Sequence, residues 1–198
     1  SYAKKYFKKP EALEIRLFVY PNDILDAIKD DPPDILGLAS YTWNDNLNLE
    51  ILKHVKKNFN KTITIMGGPN FNNHNMEKFF TKRPYLDYYI VNQGETGFLN
   101  ILNNFVEGKL VRDSLNENRM DNVAFYNSNL KKVIIGDISK RYKDLDVIPS
   151  PILDGTLDEF FEDRNLIPIV ETMRGCPFAC TYCAWGDDWL RASNRFSI

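Results

Sequence analysis

The sequence predicts an α/β fold built on an open parallel β-sheet with helices on both faces. Short apolar runs of strand length alternate with segments of helical periodicity between residues 13 and 106. Glycine, proline or asparagine residues punctuate these segments, as expected where the chain turns between elements. The 198 residues are 43% hydrophobic, a composition that supports one or two globular domains with their own cores.

The strands of this sheet are predicted from apolar runs with turn-forming residues nearby. A run of about four to eight such residues is too short for an amphipathic helix and suits a strand buried in a sheet. The predicted strands are Leu13 to Tyr20, Asp34 to Ser40, Lys61 to Met66 and Asp87 to Asn92.

Helices are predicted where apolar residues recur every three or four positions. Pro21 opens the first of them, and Gly108 ends the last. The second helix carries lysines near its C-terminal end, where they interact favourably with the helix dipole. The apolar faces are Ile24, Leu25 and Ile28; Leu47, Ile51, Leu52, Val55 and Phe59; Met76, Phe79 and Phe80; and Phe98, Ile101, Leu102, Phe105 and Val106.

The pattern changes after residue 108. Val123 to Tyr126 and Lys132 to Ile135 are predicted to form a hairpin around Asn127-Ser128-Asn129. A proline-marked linker follows at Lys143 to Pro151, and Leu166 to Thr172 is predicted to be a further strand. The predicted domains are therefore residues 1–108, a hairpin and linker over residues 109–165, and a final segment over residues 166–198.

Charge and hydropathy exclude several classes of function. The net charge of −2, without a basic stripe, gives no field that favours nucleic acid or an anionic membrane. No apolar run is long enough to span a bilayer, and the first residues contain no apolar signal core. We therefore expect a soluble, cytoplasmic protein with neither nucleic acid nor a membrane as its partner.

Small and polar residues follow three of the predicted strands. In an open parallel sheet, ligands bind beyond the carboxyl ends of the strands. Paired glycines let a bulky ligand approach the backbone, although they can equally serve only to turn the chain. A carboxylate in the first turn of a helix is also a normal capping residue. The candidate ligand-binding residues are Ser40, Tyr41, Thr42, Gly67, Gly68, Pro69, Gly94 and Glu95.

The chain has three cysteines, and all of them lie in one short segment with the spacing C-x3-C-x2-C. They are Cys176, Cys180 and Cys183. An odd number of clustered cysteines argues against a disulfide framework and favours a metal site. Three thiolates can bind three irons of a four-iron cluster and leave the fourth iron open to a ligand that is not protein.

Two alternatives for the cysteines stay open. Structural zinc normally takes four ligands, so His54, His74 or Asp187 would have to complete the site, and no pattern indicates this. The cysteines could also be without a metal. Taken alone, each histidine is expected to be a surface or hydrogen-bonded residue rather than a ligand.

The segment from Arg174 to Cys183, Arg-Gly-Cys-Pro-x-x-Cys-x-Tyr-Cys, resembles the cluster loop of radical S-adenosylmethionine (SAM) enzymes. The strand–helix region before it is similar to the Rossmann-like cobalamin-binding domain that precedes the (β/α) barrel in one branch of that superfamily. The three loops at the strand ends resemble recurring loops of this branch, and Asp144 to Pro151 resembles its interdomain linker. On this resemblance, residues 166–198 hold the first strand and cluster loop of a truncated barrel.

The resemblance also implies a mechanism and its cofactors. Cys176, Cys180 and Cys183 would bind a [4Fe-4S] cluster whose open iron takes SAM, and Tyr182 would pack near the adenine. Reduction by an electron donor such as flavodoxin or ferredoxin would cleave SAM to methionine and a 5′-deoxyadenosyl radical, which abstracts hydrogen from an unknown substrate. The eight loop residues would contact cobalamin, which often relays a methyl group in this branch.

The sequence departs from the family pattern in three respects. It ends soon after Cys183, whereas a (β/α) barrel needs on the order of 150 further residues. The first strand of the family's sheet is expected to be missing. There is no Asp-x-His-x-x-Gly motif to supply an axial histidine to cobalamin.

We therefore expect an internal fragment of a longer enzyme, inactive alone, whose cysteine segment is mobile or irregularly packed. The alternative functions are a non-catalytic cobalamin- or nucleotide-binding module and a small iron–sulfur or zinc protein.

Overall fold

The computed structural model describes residues 1–71, 75–115, 117–178, 180–183 and 194–195. The chain divides into two compact units. Residues 7–139 form one of them, which we call the sheet unit, and residues 1–6 together with 140–198 form the second unit. The predicted division at residues 108 and 165 stays a prediction.

The sheet unit contains the strands β1 (Ile35–Ala39), β2 (Ile63–Gly67), β3 (Tyr88–Ile90), β4 (Val123–Asn127) and β5 (Lys132–Ile135), which pair in that order. β1, β2 and β3 are parallel to one another, whereas β4 pairs antiparallel with both β3 and β5. The α/β fold is thus confirmed. The predicted hairpin also forms, and its strands β4 and β5 extend the parallel sheet into a mixed one.

The described helices are α1 (Tyr2–Tyr6), a 3-10 helix (Pro10–Ala12), α2 (Pro21–Asp30), α3 (Asp45–Asn58), α4 (Met76–Thr81), α5 (Gly94–Val106) and α6 (Asp158–Phe161). Their ends follow from local sequence. Pro21 occupies the start of α2, where the helix needs no backbone N–H. The side chain of Asn75 caps α4 by accepting a 3.1 Å hydrogen bond from the backbone N–H of Lys78.

Helices cover both faces of the sheet, as the sequence predicts. α3 and α4 pack on the face that carries the fully buried Met66 and Tyr89. α5 packs on the opposite face, where Ile101 belongs to one buried cluster with residues of β2, β3 and β4. Gly97 permits the close approach of α5, because a Cβ at this position would lie 2.6 Å from a methyl carbon of Ile90.

Two of the predicted strands are wrong. Residues 13–20 form no β-ladder with any residue that the structure describes, and Val19 is 51% exposed. Alternating apolar residues favour an extended chain, but a strand also needs a neighbour that pairs with its backbone N–H and C=O groups. Residues 166–172 are likewise irregular, and Ile169 is 93% exposed.

The second unit contains α1, α6 and a small two-stranded sheet. β6 (Met173–Arg174) pairs antiparallel with β7 (Asn194–Arg195). The hydroxyl of Tyr6 donates a 3.0 Å hydrogen bond to the carbonyl of Val147, which attaches α1 to the segment predicted as a linker. The start of a barrel is not confirmed, because β6 and β7 are the only regular elements in the described part of residues 166–198.

Among the helices of the described residues, none combines the length and the apolar character that a bilayer span requires.

Candidate functional site

The carboxyl ends of β1, β2 and β3 meet at one edge of the sheet because these strands are parallel. Two segments leave this edge from neighbouring strands. We call residues 40–44, which follow β1, the serine loop, and residues 67–71, which begin with the last residue of β2, the glycine loop. α5 begins at Gly94, shortly after β3.

The serine loop and the glycine loop are in direct contact. The backbone N–H of Ser40 donates a 2.7 Å hydrogen bond to the carbonyl of Gly67, and the N–H of Asn70 donates a 3.3 Å bond to the carbonyl of Ser40. Gly68 has φ +134°, and a Cβ at this position would lie only 2.5 Å from the carbonyl oxygen of Ser40. Glycine is therefore required at position 68 both by the backbone conformation and by the closeness of the two loops.

Two asparagines fix the shape of the serine loop. The side chain of Asn44 accepts a 2.9 Å hydrogen bond from the N–H of Tyr41 and donates a 2.9 Å bond to the carbonyl of Ala39. The side chain of Asn48, on α3, donates to the same carbonyl at 2.9 Å. The last carbonyl of β1 is thus satisfied by side chains, and the loop turns directly into α3.

This arrangement leaves two aromatic rings of the serine loop facing solvent. Tyr41 and Trp43 stack with ring centroids 4.5 Å apart and an interplanar angle of 13°. Trp43 is 80% exposed and Tyr41 is 37% exposed. Thr42 and Pro69 are exposed as well. The edge of the sheet therefore presents a flat apolar surface beside polar backbone, a combination that is common in ligand sites.

The third predicted segment, Gly94 and Glu95, forms the first turn of α5. Gly94 is exposed, and a Cβ on it would find no heavy atom within 4 Å. The half-buried carboxylate of Glu95 lies at the positive end of the helix dipole, which agrees with the capping role considered for it. Gly94 is thus a place where the backbone is open to a large neighbour.

Sequence reasoning missed four residues that shape this edge. Asn44 had a recognisable signal, because an asparagine just beyond a strand commonly hydrogen-bonds the backbone of its own turn. For Trp43, the sequence indicates only an aromatic residue in a polar loop. Asn48 lies on α3 and Tyr89 lies on β3, where its hydroxyl donates a 2.8 Å hydrogen bond to the carbonyl of Gly68. No local pattern indicates that these polar side-chain atoms reach the loops.

His54 lies in the C-terminal half of α3 and is not part of the loops at this edge. His54 is exposed on α3 and lies beside Asn58, whose side-chain amide donates a 2.8 Å hydrogen bond to the His54 carbonyl. The prediction of a surface histidine is confirmed for His54. His74 lies outside the described residues.

The cysteine segment belongs to the second unit. Gly175 has φ +100° and turns the chain from β6 into the cysteines. Cys176 and Cys180 are half-buried, Cys183 is exposed, and Tyr182 is 90% exposed. The backbone N–H of Cys183 donates a 3.2 Å hydrogen bond to the carbonyl of Cys180.

Three soft thiol donors at this spacing suit iron by their chemistry. Among the described residues, however, no group of three His, Cys, Asp or Glu side chains is arranged to hold a metal ion. The predicted contact of Tyr182 with an adenine stays a prediction. The cysteines therefore remain candidate ligands by sequence, and no chemical step is derived through them.

Comparison with known protein families gives a match for most of the sheet unit. Residues 13–102 match the family model described as a B12 binding domain. Residues 13–102 form a B12-binding domain. This domain includes the serine loop, the glycine loop and the start of α5, so every candidate residue at the edge of the sheet belongs to it. The recognition of such a domain from the sequence is confirmed.

Curated relatives match a larger part of the chain than this domain alone. The cobalamin-dependent radical SAM methyltransferase TokK of Streptomyces tokunonensis is 28% identical over 169 residues, which cover 83% of this chain and 24% of TokK. The 2-(S-pantetheinyl)-carbapenam-3-carboxylate methyltransferase of Streptantibioticus cattleyicolor has the same identity and coverage. The chain thus spans about a quarter of the length of these relatives.

A solved structure supports the same fold. The cobalamin-dependent S-adenosylmethionine radical enzyme OxsB, with aqua-cobalamin and S-adenosylmethionine bound, matches with a TM-score of 0.70 and 22% identity. The match covers 99% of this chain and 26% of OxsB. At 22% identity, this likeness shows the fold alone and does not identify a ligand.

Proposed function

We propose that the B12-binding domain of this chain holds cobalamin at the carboxyl edge of β1, β2 and β3. The observation that carries this proposal is the contact between the serine loop and the glycine loop, made at 2.7 Å between Ser40 and Gly67. It creates a continuous edge from two strands, at the place where open α/β sheets bind their ligands. The family match over residues 13–102 supports cobalamin as the ligand.

The residues present at this edge fit cobalamin in three ways. The corrin is a large, nearly flat and mostly apolar ring, and the stacked, exposed pair of Tyr41 and Trp43 offers a surface of the same character. The amide side chains of cobalamin need hydrogen-bond partners, which Thr42 and the loop backbone can supply. The open backbone at Gly94 gives room for a bulky group. When bound, cobalamin supplies a cobalt centre that can carry a methyl group.

We further propose that the longer protein is a radical SAM enzyme that cleaves SAM reductively and uses cobalamin, with methyl transfer as the class of reaction. In this proposal Cys176, Cys180 and Cys183 hold a [4Fe-4S] cluster, Tyr182 lies near the adenine of SAM, and an electron donor such as flavodoxin or ferredoxin supplies the electron. The names of the relatives and the cysteine spacing support it. The substrate remains open.

Titration of the 198-residue chain with aqua-cobalamin tests the first proposal. We expect saturable binding of one cobalamin per chain, seen as a change in the visible absorbance of the corrin. Gly94→Leu should weaken binding, because the leucine side chain fills the open space at the edge of the sheet. Lys57→Leu is the matched control, since it adds the same side chain at an exposed position in the last turn of α3. Equal binding by all three proteins, or no binding by any, would contradict the proposal.

Anaerobic reconstitution with iron and sulfide tests the cysteine site. We expect about four irons per chain, and an electron paramagnetic resonance spectrum that changes when SAM is added. A variant with all three cysteines replaced by serine should bind no iron.

Other results of the reconstitution would select another function. One zinc per chain without sulfide would indicate a zinc protein. Cobalamin binding without any iron would leave a non-catalytic cobalamin module.

A further inference from the structure

Tyr89 lies at the centre of β3 and reaches the glycine loop through its hydroxyl group. The residue is fully buried, on the face of the sheet that α3 and α4 cover. Its phenol donates a 2.8 Å hydrogen bond to the carbonyl of Gly68. Burial raises the pKa of Tyr89 to about 12, so the phenol keeps its proton and remains a donor at neutral pH.

The ring of Tyr89 holds a second point of the same loop. Phe71, the last residue of the glycine loop, stacks on Tyr89 with ring centroids 4.6 Å apart and an interplanar angle of 17°. Phe79 of α4 packs edge-on against both rings, with centroids 5.1 Å from each. The buried side chain of Tyr89 therefore contacts the glycine loop at two points, through its hydroxyl at Gly68 and through its ring at Phe71.

The carbonyl that Tyr89 holds belongs to the residue that touches the serine loop. Gly68 lies so close to Ser40 that no Cβ fits between them. Any change in the position of Gly68 is therefore transmitted to Ser40 and to the exposed aromatic pair that follows it. None of these contacts gives Tyr89 access to a ligand itself, because its side chain is buried beneath the loops.

We propose that Tyr89 is a positioning residue for the cofactor edge, holding the glycine loop against the serine loop through its hydroxyl and its ring. The proposal rests on the proposed function, because the edge that Tyr89 shapes is the one assigned to cobalamin. It goes beyond that function because Tyr89 would raise the affinity of the protein for cobalamin without contacting cobalamin itself.

The test compares Tyr89→Phe with Tyr88→Phe in the 198-residue chain. Both variants lose one hydroxyl from a buried tyrosine of β3. Tyr88 is the matched control, because its ring faces the other side of the sheet and packs against Phe125, with ring centroids 5.5 Å apart. Hydrogen–deuterium exchange of the ligand-free proteins measures the glycine loop, and titration with aqua-cobalamin measures affinity.

We expect Tyr89→Phe to speed amide exchange in residues 67–71 and to raise the Kd for aqua-cobalamin about threefold to tenfold, the effect of one hydrogen bond. Tyr88→Phe should change neither. A role in global stability alone would leave the Kd unchanged while both variants are folded, and that result would overturn the proposal. If Tyr89→Phe does not fold, Phe71→Leu removes the ring stacking between Phe71 and Tyr89 instead. It should likewise speed amide exchange in residues 67–71 and raise the Kd for aqua-cobalamin.

The two measurements separate this inference from the proposed function. If the unmodified chain binds no cobalamin, the proposed function fails, and the exchange rates of residues 67–71 still decide whether Tyr89 holds the loop. If the unmodified chain binds cobalamin and Tyr89→Phe binds it equally well, only the positioning role fails.

Discussion

The guanidinium of Arg83 donates from one nitrogen to both carboxylate oxygens of Asp45, at 2.6 and 2.7 Å. Asp45 is the first residue of α3 and directly follows the serine loop. Arg83 follows α4, is only 7% exposed, and lies with its guanidinium carbon 3.8 Å from the ring centroid of Phe79. This pair therefore ties the start of α3, and with it the end of the serine loop, to the helix that packs on Tyr89.

Replacing Asp45 should cost considerably more stability than an exposed ion pair does. In Asp45→Asn the nearly buried Arg83 loses the negative charge that compensates it. We expect the free energy of unfolding, measured in urea, to fall by about 1–3 kcal/mol.

Lys53→Gln is the matched control for this prediction. It breaks an ion pair with Glu50 on the exposed surface of α3, where the lysine and glutamate side chains are 42% and 72% exposed. Its cost should stay below about 0.5 kcal/mol. Equal effects of the two substitutions would show that the Arg83–Asp45 pair contributes no more than a surface contact.

Two glycines of the cofactor edge should respond differently to alanine. Gly68→Ala places a methyl group 2.5 Å from the carbonyl oxygen of Ser40 and forces alanine to adopt φ +134°. We expect a loss of roughly 1–3 kcal/mol in the free energy of unfolding. Gly94→Ala meets no atom within 4 Å and should change stability by less than about 0.5 kcal/mol. Thermal and urea unfolding of both variants provide the measurement, and a costly Gly94→Ala would contradict the open geometry at that position.

Stability should fall in alkaline solution through the two buried tyrosines of β3. Burial raises the pKa of Tyr88 and of Tyr89 from 10.0 to about 12. Above pH 10 the unfolded chain therefore releases phenol protons that the folded chain keeps, so the free energy of unfolding decreases as pH rises from about 10 to 12. Below pH 10 this contribution is fully present.

Urea unfolding at a series of pH values checks this prediction. The expected loss is on the order of 2 kcal/mol for each tyrosine. The double variant Tyr88→Phe and Tyr89→Phe should show a flatter pH dependence over this range, because it has no phenols to ionise at these positions. An unchanged slope in the double variant would assign the alkaline loss to other groups.

The sequence was sufficient to predict most elements of the sheet unit. The apolar runs that became β1 and β2 are short, and the helix α3 between them has a clear apolar face. Residues 13–20 show the limit of this reasoning. Their alternation favours an extended backbone, but pairing with a neighbour decides whether a strand forms, and pairing is not a local property.

The candidate site was predictable at the level of loops and not at the level of contacts. Parallel strands bring Ser40 and Gly68 to the same edge, which follows from topology alone. That these two residues touch depends on the register that places Ala39 opposite Gly67, and no sequence pattern specifies it. The apolar run of β3 likewise predicts that Tyr89 is buried, but it does not predict that the Tyr89 hydroxyl donates a hydrogen bond to the carbonyl of Gly68.

Asp87 should separate stability from cofactor binding, because it lies at the end of β3 away from the loops. Its side chain is 12% exposed, and its carboxylate accepts a 2.9 Å hydrogen bond from the backbone N–H of Thr64 and pairs with Arg112 at 2.8 Å and with Lys56. Asp87→Asn leaves two cations beside a neutral group. We therefore expect the free energy of unfolding to fall by about 3–5 kcal/mol, the cost of breaking a buried ion pair.

The Kd for aqua-cobalamin should stay unchanged in Asp87→Asn, measured at a temperature where the variant is folded. The serine and glycine loops leave the carboxyl ends of the strands, whereas Asp87 precedes the first residue of β3. A destabilised variant with normal affinity would show that loss of stability alone does not weaken binding. Weaker binding by Tyr89→Phe would then be assigned to the position of the glycine loop. A parallel loss of affinity in Asp87→Asn would instead mean that the cofactor edge depends on the stability of the whole sheet unit.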